Sequence, residues 1–316
     1  MQTLLDIGVD VAKNEVVVAC AANTFVPHAV ANRRVELRAW LKSIPKGSRI
    51  GLESTSTYHE LLADLAYEQG FSVFVLNPRN TRHYAQGVGE RAKTDHVDAQ
   101  VIARYLAREH TQLHAYQPPT ADQRHIDRLL RRRAKLTRIR AMLRQSLREL
   151  DMCATEIKAL FTRFDALIKK IDITLAQLNA VSQERLKTQQ HLQSIVGVGP
   201  IVGISLSNVL QRVPFHNADA FVAFVGYDTR AQDSGQRRGR RRLSKHGPAE
   251  LRRLLFNAAM AASKTDSWKP IYRHYRNKGL SGTAALCIIA RKIARTAWSI
   301  SKYQTTFDPK RLTCQA

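Results

Sequence analysis

From Thr120 to about Ser194 the chain contains neither glycine nor proline, and this feature constrains its architecture more than any other. Leu129, Leu136, Leu143 and Leu150 recur there at seven-residue spacing, and Ile157, Phe164, Ile171 and Leu178 repeat the pattern. Ile139, Leu147, Leu160 and Ile168 support the same apolar side. Such a repeat is the signature of helices packed along a seam, so residues 119–193 are expected to form a coiled coil or a helical hairpin. A helix with one apolar seam must bury it against its own second half or against another subunit. Oligomerisation is therefore expected, and the partner stays open.

The sequence changes character on either side of this segment. Before it, Leu4 to Val11 and Glu15 to Ala21 are rich in β-branched residues around the tight Lys13-Asn14 connection, which predicts a hairpin. Arg49 to Glu53 and Phe71 to Leu76 predict two further strands, and Tyr58 to Gln69 and Lys93 to Arg108 two helices. Residues 1–118 thus read as an α/β domain with a mixed sheet, closed by Pro118-Pro119. After the segment, 194–316 reads as a mainly α-helical domain ending on a buried helix, Ala284 to Ile300, with a tail from Phe307. Its opening, Ile195-Val196-Gly197-Val198-Gly199-Pro200, is either a sharp interhelical turn or a helix-hairpin-helix whose backbone amides hold a DNA phosphate.

Charge divides at the same place. Residues 1–118 hold 13 Lys/Arg against 12 Asp/Glu, whereas 119–316 hold 37 against 14. Nearly all of the +24 excess therefore lies in the second part, the footprint of a polyanion partner. No apolar run approaches the roughly 20 residues of a membrane span. Asp6, Asp10, Lys13 and Glu15 interrupt what would otherwise resemble a secretory leader, so a chain kept in the bacterial cytoplasm, nucleoid-associated when acting, is expected. Cys20, Cys153, Cys287 and Cys314 are scattered, which suggests neither a disulfide framework nor a zinc site.

Four carboxylates stand apart from the solvated charges. Asp10 lies within the first strand, Glu53 ends another, and Asp95 and Asp98 share one helix face at i and i+3. Acids that converge in this way cannot all stay ionised without a cation, and hard ions such as Mg²⁺ take oxygen ligands of this type. Paired ions in such a site can clamp the attacking and leaving oxygens of a phosphodiester.

Asp-Ile-Gly-Val-Asp-Val-Ala-Lys (6–13), Leu-Glu-Ser-Thr-Ser-Thr-Tyr (52–58), Val-Leu-Asn-Pro (75–78) and Lys-Thr-Asp-His-Val-Asp-Ala (93–99) resemble the motifs of the DEDD insertion-sequence transposases. That family includes Piv-type invertases and recombinases guided by a bridge RNA. The resemblance continues through Ser-Ile-Val-Gly-Val-Gly-Pro (194–200), Phe-Val-Ala-Phe-Val-Gly (221–226), Asp-Ser-Gly (233–235), Leu-Ser-Lys-His-Gly (243–247) and Leu-Arg-Arg-Leu-Leu (251–255). It implies a RuvC-like (RNase H-like) first domain with Asp10, Glu53, Asp95 and Asp98 as the metal-binding tetrad. It further implies a coiled-coil oligomerisation segment and a C-terminal transposase domain whose Ser234 forms a phosphoserine link to DNA. The resemblance also implies a dimer of dimers, with the serine of one subunit beside the acidic site of another, and a structured noncoding guide RNA. Two positions depart from the pattern: Gly226-Tyr227-Asp228-Thr229 replaces the more usual Gly-Leu-Thr-Pro, and Asp233 stands where Glu is often found.

The residues around Ser234 suit that chemistry on their own account. Arg237, Arg238, Arg240, Arg241, Arg242 and Lys245 follow it, and guanidinium groups can bind the phosphates flanking a cut. Arg131, Arg132 and Arg133 on the outer side of the first heptad run are further candidates for contact with double-stranded DNA or folded RNA, since 124–148 is basic and lacks aromatic residues. Two rivals remain at this level. A structure-selective nuclease would use the tetrad to activate water and dispense with Ser234; a packaging protein would need only the basic half.

Overall fold

The computed structural model describes residues 4–54, 56–90, 92, 94–230, 239 and 241–312. The chain divides into two compact units, Met1–Pro118 and Pro119–Ala316.

In the first unit the order is β1 (Asp6–Val11), β2 (Glu15–Cys20), β3 (His28–Ala31), α1 (Arg34–Lys42), β4 (Arg49–Glu53), α2 (His59–Glu68), β5 (Ser72–Leu76), α3 (Pro78–Gly87) and α4 (Asp95–Glu109). The five strands form one sheet in the order β3-β2-β1-β4-β5. β1 runs antiparallel to β2 and parallel to β4, so the sheet is mixed, as the sequence predicts. Strand alternation separates two faces. Ile7, Val9 and Val11 of β1 join Ile50 and Leu52 of β4 against Leu37, Trp40 and Leu41 of α1 and Leu62 and Leu65 of α2. The opposite face carries α4: Ala99 packs on Val17 and Ala19, and Ile102 and Leu106 pack on Phe74 and Leu76.

Three elements escape the sequence reading. β3 has only four residues, two of them exposed. α1 is a single short amphipathic helix. α3 has no apolar stripe at all, its one buried residue being Thr81, and only its start is signalled, by Asn77 as N-cap and Pro78 in the first turn.

The second unit is mostly helical: α5 (Ala121–Ser146), α6 (Ala154–Ala180), α7 (Gln183–Gln193), α8 (Pro200–Arg212), α9 (Ala218–Val225), the short strands β6 (Thr229–Arg230) and β7 (Arg242–Leu243), α10 (Ala249–Ala262), α11 (Lys269–Asn277) and α12 (Gly282–Tyr303). A capping box between Thr120 and Gln123 starts α5 immediately after the two prolines. The two heptad runs fold back on each other through residues 147–153 as a helical hairpin. Arg133 pairs with Asp172 across it, Nη2 lying 2.9 Å from Oδ2, and Arg140 pairs with Asp165 at 2.7 Å.

The seam is not evenly filled. At the hairpin base Ile126, Leu130 and Leu175 are buried together with Ile204 of α8. Toward the tip Leu136, Leu143, Ile157 and Phe164 are half-buried, and Leu150, Leu160 and Leu167 are exposed. The physical reason is geometric: only the base has a third helix, α8, to complete the layer.

Small residues let α10 and α12 approach closely, with Ala258, Ala259, Ala262, Ala290, Ala294 and Ala297 buried around Leu255, Ile289 and Ile293. Gly197, at φ +97°, turns the chain between α7 and α8, and a side chain there would meet the carbonyl of Ala258. The Gly-x-Gly turn therefore has a packing role. The expectation of a free tail from Phe307 is corrected: the Phe307 ring stacks on buried Trp268 with centroids 5.9 Å apart, and its N–H donates to Ser194 Oγ at 2.8 Å. No helix among the described residues is long and apolar enough to cross a membrane.

Candidate active site

The parallel register of β1 and β4 builds the acidic edge of the first unit. Gly8 lies beside Gly51, so Asp10 and Glu53, each two residues further on, leave the sheet on the same face. Both glycines are there for α4. A Cβ at Gly8 would collide with the backbone N of Ala103 and the carbonyl of Ala99, and one at Gly51 would press on Leu106. The absent side chains let the helix backbone lie directly on β1. Just before Ala99, the first turn of the same helix delivers Asp95 and Asp98 to the Asp10 end of the strand. The Thr94 side chain caps this turn by accepting the N–H of Val97 at 3.3 Å, and carboxylates suit the positive end of the helix dipole.

Electrostatics marks the edge as unusual. Asp10 has its pKa raised to about 6, first by burial and then by the charges of Asp95, Asp98 and Glu53. The contrast with Asp6 on the same strand is instructive. Asp6 lies beside Arg49 of β4 in register and accepts from its Nη2 at 2.8 Å, so its charge is matched. Four residues on, Asp10 has three acids as its charged neighbours.

The donor set fits a hard divalent cation, since all four groups are carboxylates and a cation would relieve the repulsion felt at Asp10. Among the described residues no three His, Cys, Asp or Glu side chains are closed around one point as a finished coordination shell. Sequence reasoning missed one residue here. Thr81 of α3 donates its hydroxyl to Glu53 Oε2 at 2.8 Å. The repeated Gly-x-acid spacing in β1 and β4 was a readable sign of the edge, but nothing local points to Thr81.

In the second unit, Ser234, Arg237, Arg238 and Arg240 lie outside the described residues. β6 pairs with β7 antiparallel, Thr229 opposite Leu243 and Arg230 opposite Arg242. The departures at Tyr227 and Asp228 have structural partners: buried Tyr227 donates its hydroxyl to the Arg252 carbonyl at 2.9 Å, and Asp228 accepts from the buried Ser244 hydroxyl. Arg241, Arg242 and Lys245 are exposed around this ribbon. On α5, Arg131 and Arg132 are exposed, whereas Arg133 is turned inward to Asp172.

Comparison with known proteins matches both units. Residues 7–151 match the DEDD transposase model of IS110 type, and residues 189–275 match the model described as the transposase IS116/IS110/IS902 family. The chain is similar to the pilin gene-inverting proteins of Moraxella bovis and Moraxella lacunata, at 25% identity over 96% of this chain and 98% of each relative. It is similar at 24% identity, with the same coverage, to the transposase for insertion sequence element IS1328 of Yersinia enterocolitica. The fold with its acidic edge and these matches define an enzyme of the DNA-cleaving recombinase class. The chain belongs to the IS116/IS110/IS902 family of transposases.

Proposed function

We propose that this enzyme cuts and rejoins DNA for an insertion sequence through a covalent phosphoserine intermediate at Ser234, with the RuvC-like acidic edge assisting. The observation that carries the proposal is the gathering of Asp10, Glu53, Asp95 and Asp98 on one edge, with the pKa of Asp10 raised to about 6 by burial and then by the other three. These four residues would hold Mg²⁺, which when bound supplies positive charge against the negative charge building on the phosphoryl oxygens.

The serine step follows from energetics. The Ser234 hydroxyl loses its proton and its oxygen bonds to phosphorus, while the bond to the leaving deoxyribose oxygen breaks and that oxygen takes up a proton. The phosphoester energy is retained, so attack by another deoxyribose hydroxyl can rebuild a phosphodiester. Hydrolysis would discard it. Arg237, Arg238, Arg240, Arg241, Arg242 and Lys245 are proposed to hold the flanking phosphates, and Arg131 and Arg132 to contact a nucleic-acid duplex, while Arg133 is held on the hairpin by Asp172.

Partners follow the same reading. A structured noncoding RNA is proposed to guide the enzyme to its double-stranded DNA sites in the cytoplasm, and a dimer of dimers is proposed as the assembly; the exposed Leu150, Leu160 and Leu167 of the hairpin support contact between copies. A second reading is inversion without a guide; the similarity to the pilin gene-inverting proteins over 96% of the chain supports its inversion part.

The test uses the full chain with Mg²⁺ and a DNA substrate that traps cleaved ends, followed by denaturation and mass spectrometry. A nucleotide adduct on Ser234 is expected, absent in Ser234→Ala, and Asp10→Asn is expected to abolish cleavage while leaving nucleic-acid affinity largely intact. Clean cleavage by Ser234→Ala, with no adduct in the parent, would make water the nucleophile. Recombination surviving RNase treatment would favour the unguided inversion.

A further inference from the structure

We infer that Thr81 is a positioning residue for the carboxylate edge: its hydroxyl holds Glu53 turned so that its remaining lone pairs face a divalent cation. The inference rests on the reading of that edge as a metal site.

Glu53 is the member of the four most in need of support. It is the last residue of β4, on a side chain with three rotatable bonds, whereas Asp95 and Asp98 sit on a capped helical turn and Asp10 lies inside its strand. What stands beside it is the start of α3. Glu53 pairs with Leu76 of β5, and the Ser54 N–H donates to the Leu76 carbonyl at 3.0 Å, which pins the strand end next to the Asn77-Pro78 turn. Asn77 accepts the Arg79 N–H at 2.9 Å and sets the helix direction. One turn in, Thr81 is 4% exposed and is the one residue of α3 that is fully buried.

The hydroxyl has one proton and two candidate acceptors. A buried threonine in a helix commonly gives its proton to a carbonyl one turn back, and Pro78 O lies 3.1 Å away. Glu53 Oε2 is closer, at 2.8 Å, and a carboxylate is the stronger acceptor. The proton therefore goes to Glu53. One such bond removes a rotational freedom and leaves Oε1 uncommitted to Thr81. Carboxylates that bind metals are themselves held by outer hydrogen bonds for the same reasons.

The test titrates Mg²⁺ calorimetrically into the full-length parent, Thr81→Val, Thr81→Ser and Asp10→Asn, with melting curves recorded in EDTA. Thr81→Val keeps the shape and loses the hydroxyl, and it is expected to weaken Mg²⁺ binding about tenfold, while Thr81→Ser stays within about twofold of the parent. Thr81→Ala, a smaller side chain without the hydroxyl, should give the same loss and serves where valine is not accommodated. In a Glu53→Gln background, Thr81→Val should have no further effect on the binding that remains. Unchanged Mg²⁺ affinity in Thr81→Val, or an equal loss with and without Glu53, overturns the inference while the metal reading stands if Asp10→Asn abolishes binding. Equal absence of binding in the parent and in Asp10→Asn overturns the metal reading and the inference with it.

Discussion

The two units treat charge in opposite ways. In the second, the basic excess is sorted: inward arginines are matched to acids, as Arg133 is to Asp172, Arg140 to Asp165 and Arg212 to Asp127 at 2.6 Å, while Arg131, Arg132, Lys135 and Arg138 face solvent. In the first, the total is almost neutral, yet Asp10, Glu53, Asp95 and Asp98 are brought to one edge where Asp10 has acids as its charged neighbours. Structural charges are paired where the fold can pair them. The fold instead spends packing, through two glycines and a helix laid on the sheet, to hold like charges together. An arrangement that costs stability and persists points to chemistry more strongly than a surplus of lysine and arginine does.

The sharpest way to break this comparison is to remove the packing that enforces it. Gly8→Val should destabilise the first unit by about 3 kcal/mol or more, because the helix backbone above has no flexible end to give way. Gly199→Ala, where a Cβ meets open space, should cost under about 1 kcal/mol. Urea midpoints of the two variants decide it; similar losses would mean that α4 is not held down at Gly8.

A smaller effect concerns the like charges themselves. The pKa of Asp10 is raised from 3.8 to about 6, so its ionisation opposes folding as pH climbs through that window. Asp10→Asn should therefore raise metal-free stability at pH 8 by roughly 1–2 kcal/mol, after discounting the shift for partial exposure, and by nothing below about pH 4. Melting curves in EDTA at the two pH values test this. A gain of equal size at both would assign it to packing.

The smallest effect sharpens the other side. Asp172→Asn should cost the hairpin at most about 1 kcal/mol and, by releasing Arg133, steepen the salt dependence of DNA binding by about one unit. Arg132→Ala should leave stability unchanged and flatten that dependence by about one unit. Titrations between low and moderate salt measure both. An unchanged slope in Asp172→Asn would show that Arg133 stays on the hairpin's inner side.

Much of the fold is legible because it rests on local pattern. The β-branched runs place β1, β2, β4 and β5 within a residue or two, and Thr120 after two prolines marks the start of α5. α3 is not legible, because a helix that buries only a threonine has no apolar period to detect. Nor does the tail reveal itself: Phe307 looks terminal in sequence and packs on Trp268, which is 39 residues earlier in the chain. Asp10, Glu53, Asp95 and Asp98 could be singled out by their motifs, but Thr81 could not, since its importance lies in a partner 28 residues away.

The sequence by itself determined where charge, apolar periods and chain breakers fall, and hence the α/β-then-helical order and the candidate acids. These are short-range properties, carried by neighbours along the chain. Only the tertiary structure decided that the heptads fold back on themselves, that Arg133 is matched while Arg132 is exposed, and that Asp6 is neutralised by Arg49 while Asp10 is crowded by acids. Those outcomes depend on which strand lies beside which and on how closely a helix can approach. Register and close approach exist only after the chain has folded.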